Sequence, residues 1–160
     1  MALIIETDTY ISAVDAATYI AKNYISSDEK LLAWDALSAS DIDVLLRKAA
    51  QVIDRQPLKG TKAVYTQLMA FPRRLRSYDP SLQLFIPEVV TPDAVKYAQV
   101  EIALDLMTGP SKRTELQRQG VKSFSVGSLS ENYGSGKANP LPYEAKELLK
   151  PYLAGGVQIV

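Results

Sequence analysis

The clearest pattern in the chain is helical. In SASDIDVLLRKAAQVIDRQP, Ile42, Leu45, Leu46, Ala49, Val52 and Ile53 fall on one stripe of a 3.6-residue repeat. Ser40 is the expected N-cap with Asp43 at N3. Arg47, Lys48 and Arg55 lie off the stripe, and Pro57 stops the helix. TPDAVKYAQVEIALDLMTGP reads as a second strong helix, with Thr91 as cap and Pro92 at N1. Val95, Ala98, Ile102 and Leu106 line one face, Ala94, Leu104 and Met107 broaden it, and Gly109 and Pro110 end it. Nearer the start, Ser12 opens a helix with Asp15 three residues on, an arrangement close to a capping box. Val14, Ala17, Tyr19, Ile20 and Tyr24 recur there at helical spacing, and the helix is expected to end near Asn23. SSDEKLLAWDAL predicts a short helix capped by Ser27, with Trp34, the only tryptophan, as a core anchor.

Between Leu58 and Pro92 the periodicity is weak. Gly60 marks a turn, AVYTQLMAF reads as a short helix turning Leu68 and Phe71 inward, and Tyr78, Asp79 and Pro80 read as a turn. Leu82 to Pro87 is an apolar run that ends in proline. Leu3, Ile4 and Ile5 predict a short strand or an arm. SKRTELQRQ predicts a short basic helix. LPYEAKELLKPYL predicts a terminal helix with Ala145, Leu148 and Leu149 on one side, followed by the apolar tail GGVQIV.

One stretch breaks the helical rule. In GVKSFSVGSLSENYGSG, Phe124 and Val126 alternate with Ser123 and Ser125. Gly127 breaks the phase, and Leu129 and Tyr133 keep a strand face. A lone strand cannot satisfy its own backbone. This segment either folds back as a hairpin on the helices or crosses to another chain, and fully extended it would reach about 45 Å. The expected fold is mainly α: a small helical bundle over residues 1–118, then a C-terminal arm over 119–160 with a strand or hairpin, a short helix and a tail.

Composition narrows the function. The 160 residues include no cysteine and no histidine, which excludes disulfides, thiolate nucleophiles and Cys/His zinc sites. No phosphate-cradling glycine loop occurs either. Asp41 with Asp43, and Glu144 with Glu147, are explained as helix-start carboxylates rather than a reacting pair. The expectation is a protein that is not an enzyme, with no cofactor and no metal. The N-terminus lacks the basic and long apolar regions of a signal peptide, so secretion is not expected.

Charge is balanced but uneven. Residues 1–46 carry 8 acids and 2 bases, a net of −6. Residues 47–76 carry 8 bases and 1 acid, a net of +7. Residues 77–160 carry 9 acids and 8 bases, a net of −1. Either the acidic and basic segments meet inside one fold, or the basic face meets nucleic acid or an acidic partner.

The order of motifs resembles the head–tail connector (adaptor, or head-completion) proteins of tailed bacteriophages, a group also described as DnaT-like single-stranded-DNA-binding proteins. The matching pieces include TYISAVDAATYIA, LLRKAAQVIDRQPLKG, QLMAFPRR, TPDAVKYAQVEIALDLM, GVKSFSVGSLSENY and LPYEAKELLKPYLAGG, which together cover nearly the whole chain. The FPR turn, the serine-rich strand and LLKPYLAGG are the more specific of them. The departures are Phe71, where tryptophan is expected in many relatives, and the unusually apolar GVQIV tail.

The resemblance implies a structural virion protein of the neck, made in the host cytoplasm. Such a protein forms a ring of about twelve copies under the portal, extends the channel for the packaged DNA and docks the next neck or tail component. On this reading Val121, Phe124, Val126, Leu129 and Tyr133, with Arg47 and Arg55, form the subunit interface. Leu148, Leu149, Tyr152 and Leu153 grip the portal protein. The alternative is a single-stranded-DNA-binding replication protein of primosomal type. Arg73, Arg74 and Arg76 would then track phosphates while Tyr65, Phe71 and Tyr78 stack on bases. Against it stands a core role for Phe71, and a pI near 6.3, which suits a non-specific DNA binder poorly.

Overall fold

The computed structural model describes residues 3–79, 84–109, 123–126, 129–132 and 141–154. Among these residues it is mainly helical. The helices are α1 (Ala13–Asn23), α2 (Glu29–Asp35), α3 (Ala39–Asp54), α4 (Asp93–Thr108) and α5 (Tyr143–Leu149). Two small antiparallel sheets accompany them. The first is β1 (Thr61–Lys62), β2 (Arg73–Asp79) and β3 (Leu84–Val90), in that spatial order. The second pairs β4 (Ser123–Val126) with β5 (Leu129–Asn132).

α4 is the centre of the bundle. Val95, Ala98, Val100, Ile102, Ala103 and Leu104 are all buried, and so are the polar Gln99 and Glu101. A helix buried nearly all round carries no clear amphipathic stripe, which is why the expected face misplaced Leu106, which is 41% exposed. α3 contributes Leu46, Ala49, Ala50 and Ile53, α1 contributes Ala16 and Ile20, and α2 contributes Trp34. In α1 the expected stripe is rotated: Val14 and Ala17 are exposed, and Ala16 takes the core position.

The two polar groups on α4 are satisfied by backbone and side-chain groups from other elements. Gln99 Oε1 accepts from the Tyr10 N–H at 2.9 Å. Its Nε2 donates to Thr9 Oγ1 at 2.7 Å and to the Leu46 carbonyl at 2.8 Å. Glu101 accepts from Tyr19 Oη at 2.9 Å and from Tyr24 Oη at 2.7 Å. Tyr10 Oη donates to Asp54 and accepts from the N–H groups of Ala70 and Phe71. The fully buried Phe71 ring meets Tyr10 and Tyr152 edge-on, at 5.8 and 6.2 Å between centroids.

Three expected helix starts shift. Ser38, not Ser40, caps α3, with its hydroxyl accepting from the Asp41 N–H. Asp28, not Ser27, caps α2. Pro92 rather than Thr91 occupies the N-cap of α4, without a side-chain cap bond, and buried Thr91 Oγ1 has no partner among the described residues. In the first two cases a nearby Ser or Asp competes, and the hydroxyl or carboxylate that meets an unpaired N–H wins. Ser12 with Asp15, and Gly109 with φ 76°, close their helices as the sequence predicts. Leu3, Ile4 and Ile5 form a turn with one isolated bridge from Ile5 to Thr9, not a strand.

The stretch from Ala63 to Phe71 is not the expected helix. Its backbone is bonded by side chains and by the carbonyl of Pro72, just before β2. Gln67 Oε1 accepts from the Val64 N–H, Gln67 Nε2 donates to the Met69 and Pro72 carbonyls, and the Ala63 N–H bonds the Pro72 carbonyl. Phe71 turns inward as expected, but Leu68 is 74% exposed. Beyond it, β2 and β3 pair antiparallel over seven residue pairs, and Tyr78 and Asp79, expected in a turn, are instead strand residues opposite Phe85 and Leu84. Pro87 hid β3 in the sequence. It is tolerated because β3 is paired on one side only among the described residues, so one missing N–H breaks no ladder there. Gly60, at φ 74°, is required where a Cβ would collide with the Arg74 carbonyl.

The serine-rich strand folds back within the chain. Ser123 pairs with Asn132, Phe124 with Glu131, Ser125 with Ser130 and Val126 with Leu129. The hairpin alternative is the one adopted. Its two strands pair with each other, and Gly127, where the phase breaks, lies outside the described residues. SKRTELQRQ and the GGVQIV tail lie outside the described residues, whereas the terminal helix α5 is described and packs on α4, with Ala145 and Leu149 fully buried.

Burial, followed by the bonded carboxylates, pushes the Tyr10, Tyr19 and Tyr24 hydroxyls well above their ordinary value of 10.0. A raised folded-state value means that the full stabilisation is present below the unfolded value and drains away above it. The urea midpoint should therefore fall once the pH passes 10.0, the value at which unfolded tyrosines ionise. Tyr24→Phe should lower the midpoint at neutral pH, through loss of the bond to Glu101, and make the alkaline fall shallower. An unchanged alkaline slope would remove Tyr24 from this account.

Candidate functional site

Two surfaces stand out from the bundle, and both are built by the elements above. The first is the loop over residues 63–68. Val64, Tyr65 and Leu68 are 58%, 98% and 74% exposed. They project from a loop whose backbone is held by Gln67 and by Lys62, whose Nζ donates to the Gln67 and Leu68 carbonyls. Lys59, Lys62 and Arg74 are exposed on the flanking segments.

The second is a groove of about 710 Å³ between α1 and the first turns of α4. Tyr19 and Tyr97 stack along it at 4.7 Å with 17° between their planes, and Ile5 and Leu148 add apolar wall. Asp15, Lys22, Asp93 and Lys96 supply its charges, with Lys96 bonded to Asp93 at 2.7 Å. Neither surface was legible from the sequence. The groove needs two helices brought together from opposite halves of the chain. The loop was disguised by a spacing that fits a helix.

The sequence-derived site residues scatter. Arg73 is the most constrained of them. Its Nε donates to the Lys59 carbonyl at 2.7 Å, Nη1 to Ala70 at 3.3 Å, and Nη2 to Leu58 at 3.3 Å and Gly60 at 2.6 Å. The guanidinium thus staples the turn before β1 to the start of β2. Arg74 is exposed, and Arg76 is placed by its backbone on β2, opposite Pro87. Of the three proposed stacking residues, Phe71 is in the core, Tyr65 is open, and Tyr78 is placed by its backbone on β2 opposite Phe85.

Arg47 lies 3.6 Å from Asp8, which joins the start of the basic 47–76 segment to the acidic N-terminal segment inside the fold. Arg55 is exposed at the end of α3. Leu149 is fully buried, and Leu148, Tyr152 and Leu153 pack against the core. The chain after α5 is also paired by its backbone: Lys59 N–H bonds the Tyr152 carbonyl at 2.8 Å and Ala154 N–H bonds the Pro57 carbonyl at 2.7 Å. Phe124, Val126 and Leu129 lie in the β4–β5 hairpin, while Val121 and Tyr133 lie outside the described residues. Among the described residues no group of three or more acidic side chains is placed to hold a metal ion, and no helix is long and apolar enough to cross a membrane.

Among the described residues, then, the chain is a helical bundle that carries two small antiparallel sheets. Comparison with protein families matches residues 1–160 to the family described as "Putative DnaT-like ssDNA binding protein", and the chain belongs to that family. Comparison with curated proteins and with solved structures finds no match.

Arg73→Lys should destabilise the fold by about 1–2 kcal/mol, because an ammonium cannot reproduce a planar fork that reaches four carbonyls. Urea unfolding measures this. A wild-type midpoint would show that the guanidinium is available for a ligand instead.

Proposed function

We propose that the protein is a structural, non-enzymatic connector of a tailed-phage neck, joining copies of itself into a ring beneath the portal. The observation that carries this reading is the contrast between a closed core and open strand edges. The helical core is filled by the chain's own side chains. β3, β4 and β5 each have a single strand partner among the described residues. An open edge offers a row of backbone donors and acceptors, which a neighbouring subunit can satisfy by strand addition. The β4–β5 hairpin, with Phe124 and Val126, and the outer edge of β3 are the interface elements of this reading. Because Leu149 is buried, portal contact falls to other surfaces, including the exposed side of α5 around Tyr143, which is 72% exposed. The ring would extend the channel through which packaged DNA passes and present a platform to the next neck component.

Single-stranded-DNA binding is the second reading, and the family description favours it. The +7 segment, with Tyr65, Lys62 and Arg74 all exposed within it, is its best support. Against it, Arg73 is spent on backbone carbonyls, Phe71 is buried, and the formal net charge is zero.

Native mass measurement, alone and with portal protein, should find ring-sized oligomers or a portal-bound ring. Phe124→Asp should abolish assembly while leaving helical circular dichroism near wild type. Unfolding of that variant would place Phe124 in the core and end its interface role. Tight, salt-dependent binding to single-stranded DNA without portal binding would replace the connector reading with the second one.

A further inference from the structure

We infer that Pro87 closes the outer edge of β3 to the β3 of a second copy, and so keeps that edge for a strand of different sequence. The first half stands on backbone geometry, and the second rests on the ring reading. β3 is a seven-residue strand with one edge open among the described residues. In LFIPEVV, Phe85, Ile86, Val89 and Val90 are aromatic or β-branched, and only Pro87 and Glu88 interrupt them. An open edge of that composition invites pairing with its own copy.

The direction of each backbone group along the edge follows from the register. The Ala63 N–H bonds the Pro72 carbonyl, which continues the pairing of Thr61 with Arg74 and Lys62 with Arg73. The backbone groups of Pro72 and Arg74 therefore face β1. Directions alternate along a strand, so those of Arg76 and Tyr78 turn the same way, while those of Arg73, Leu75, Ser77 and Asp79 face β3. The β2–β3 register runs unbroken from Arg73 with Val90 to Asp79 with Leu84, so Leu84, Ile86, Glu88 and Val90 are the residues that bond β2. Phe85, Pro87 and Val89 aim their backbone groups outward. The proline itself agrees with this parity, since at a position bonded to β2 it would leave a hole in the ladder.

Antiparallel self-pairing at greatest overlap sets Phe85 opposite the copy's Val89 and Pro87 opposite its own counterpart. That central pair lies on the two-fold axis and has no N–H on either side, so both of its hydrogen bonds are lost. A slide of two residues leaves fewer pairs, each with Pro87 on one side. A strand of different sequence gives up only the bond that the missing Pro87 N–H would donate. A two-fold contact closes on itself and stops at two copies, whereas a ring needs a heterologous one. Pro87 thus disfavours the closed pair and leaves the outward groups of Phe85 and Val89 for a non-identical strand.

Pro87→Val restores the missing donor without touching the β2–β3 ladder. At dilutions where the wild-type chain is monomeric, sedimentation should find Pro87→Val as a dimer, with self-association about tenfold stronger or more. Adding Val89→Pro removes another outward N–H and should return the chain to monomer, with helical circular dichroism near wild type in both variants. Amide exchange on the wild-type monomer reads the geometry directly: the Ile86 and Glu88 amides should exchange about tenfold or more slowly than that of Val89. A monomeric Pro87→Val, a dimer that survives Val89→Pro, or a Val89 amide as protected as Glu88 overturns the inference. A wild-type chain that forms no ring, with or without portal protein, removes the ring reading and the second half of the inference, and leaves the first half standing.

Discussion

The buried middle of α4 is the constraint on which the rest of the structure depends. A helix enclosed nearly all round cannot leave Gln99 and Glu101 without partners, since an unpaired buried polar group costs several times what a satisfied one contributes. Their partners come from far away in sequence. Thr9 and Tyr10 reach Gln99, Leu46 adds a carbonyl from α3, and Tyr19 and Tyr24 reach Glu101 from α1. Three elements are thereby placed in rotation as well as in distance about α4. Apolar packing alone would tolerate sliding, whereas these bonds fix one register.

Tyr10 extends that constraint to the strand-bearing half. Its hydroxyl joins Asp54, at the end of α3, to the backbone of Ala70 and Phe71. Phe71 then packs against Tyr152, and the chain after α5 pairs with residues 57–59. The turn into β1 and the start of β2 are fixed from both sides, with Arg73 as the outer staple. A rigid base of this kind is what lets the 63–68 loop expose Tyr65 without collapsing onto the bundle. Of the basic residues that read as a nucleic-acid stripe, Arg73 is committed to stapling the fold and Arg74 is exposed.

Much of this architecture was legible in the residues. The stripe Leu46, Ala49 and Ile53 gave α3, Ser12 with Asp15 gave the start of α1, and Gly109 gave the end of α4. The alternation of Phe124 and Val126 about a break at Gly127 marked a strand segment that became a hairpin. Less legible were the caps of α2, α3 and α4, where adjacent residues compete for the same role. β2 and β3 were hidden by Arg-rich spacing and by Pro87, which is acceptable only on an edge strand. The candidate site was legible in its residue types but not in its grouping.

The sequence by itself determined the helical periodicity, the turn at Gly60, the absence of thiol and imidazole chemistry, and the split of charge between the first and second quarters of the chain. Those are local or compositional properties, and each is set by residues within a few positions of one another. Tertiary structure decided which basic and aromatic side chains are available. Phe71 and Leu149 went to the core, Arg73 to four carbonyls, and Tyr65 and Leu68 to the surface. The reason is that burial and long-range hydrogen bonding depend on which distant segments meet, and a short apolar or basic stretch carries the same pattern whether it ends inside or out.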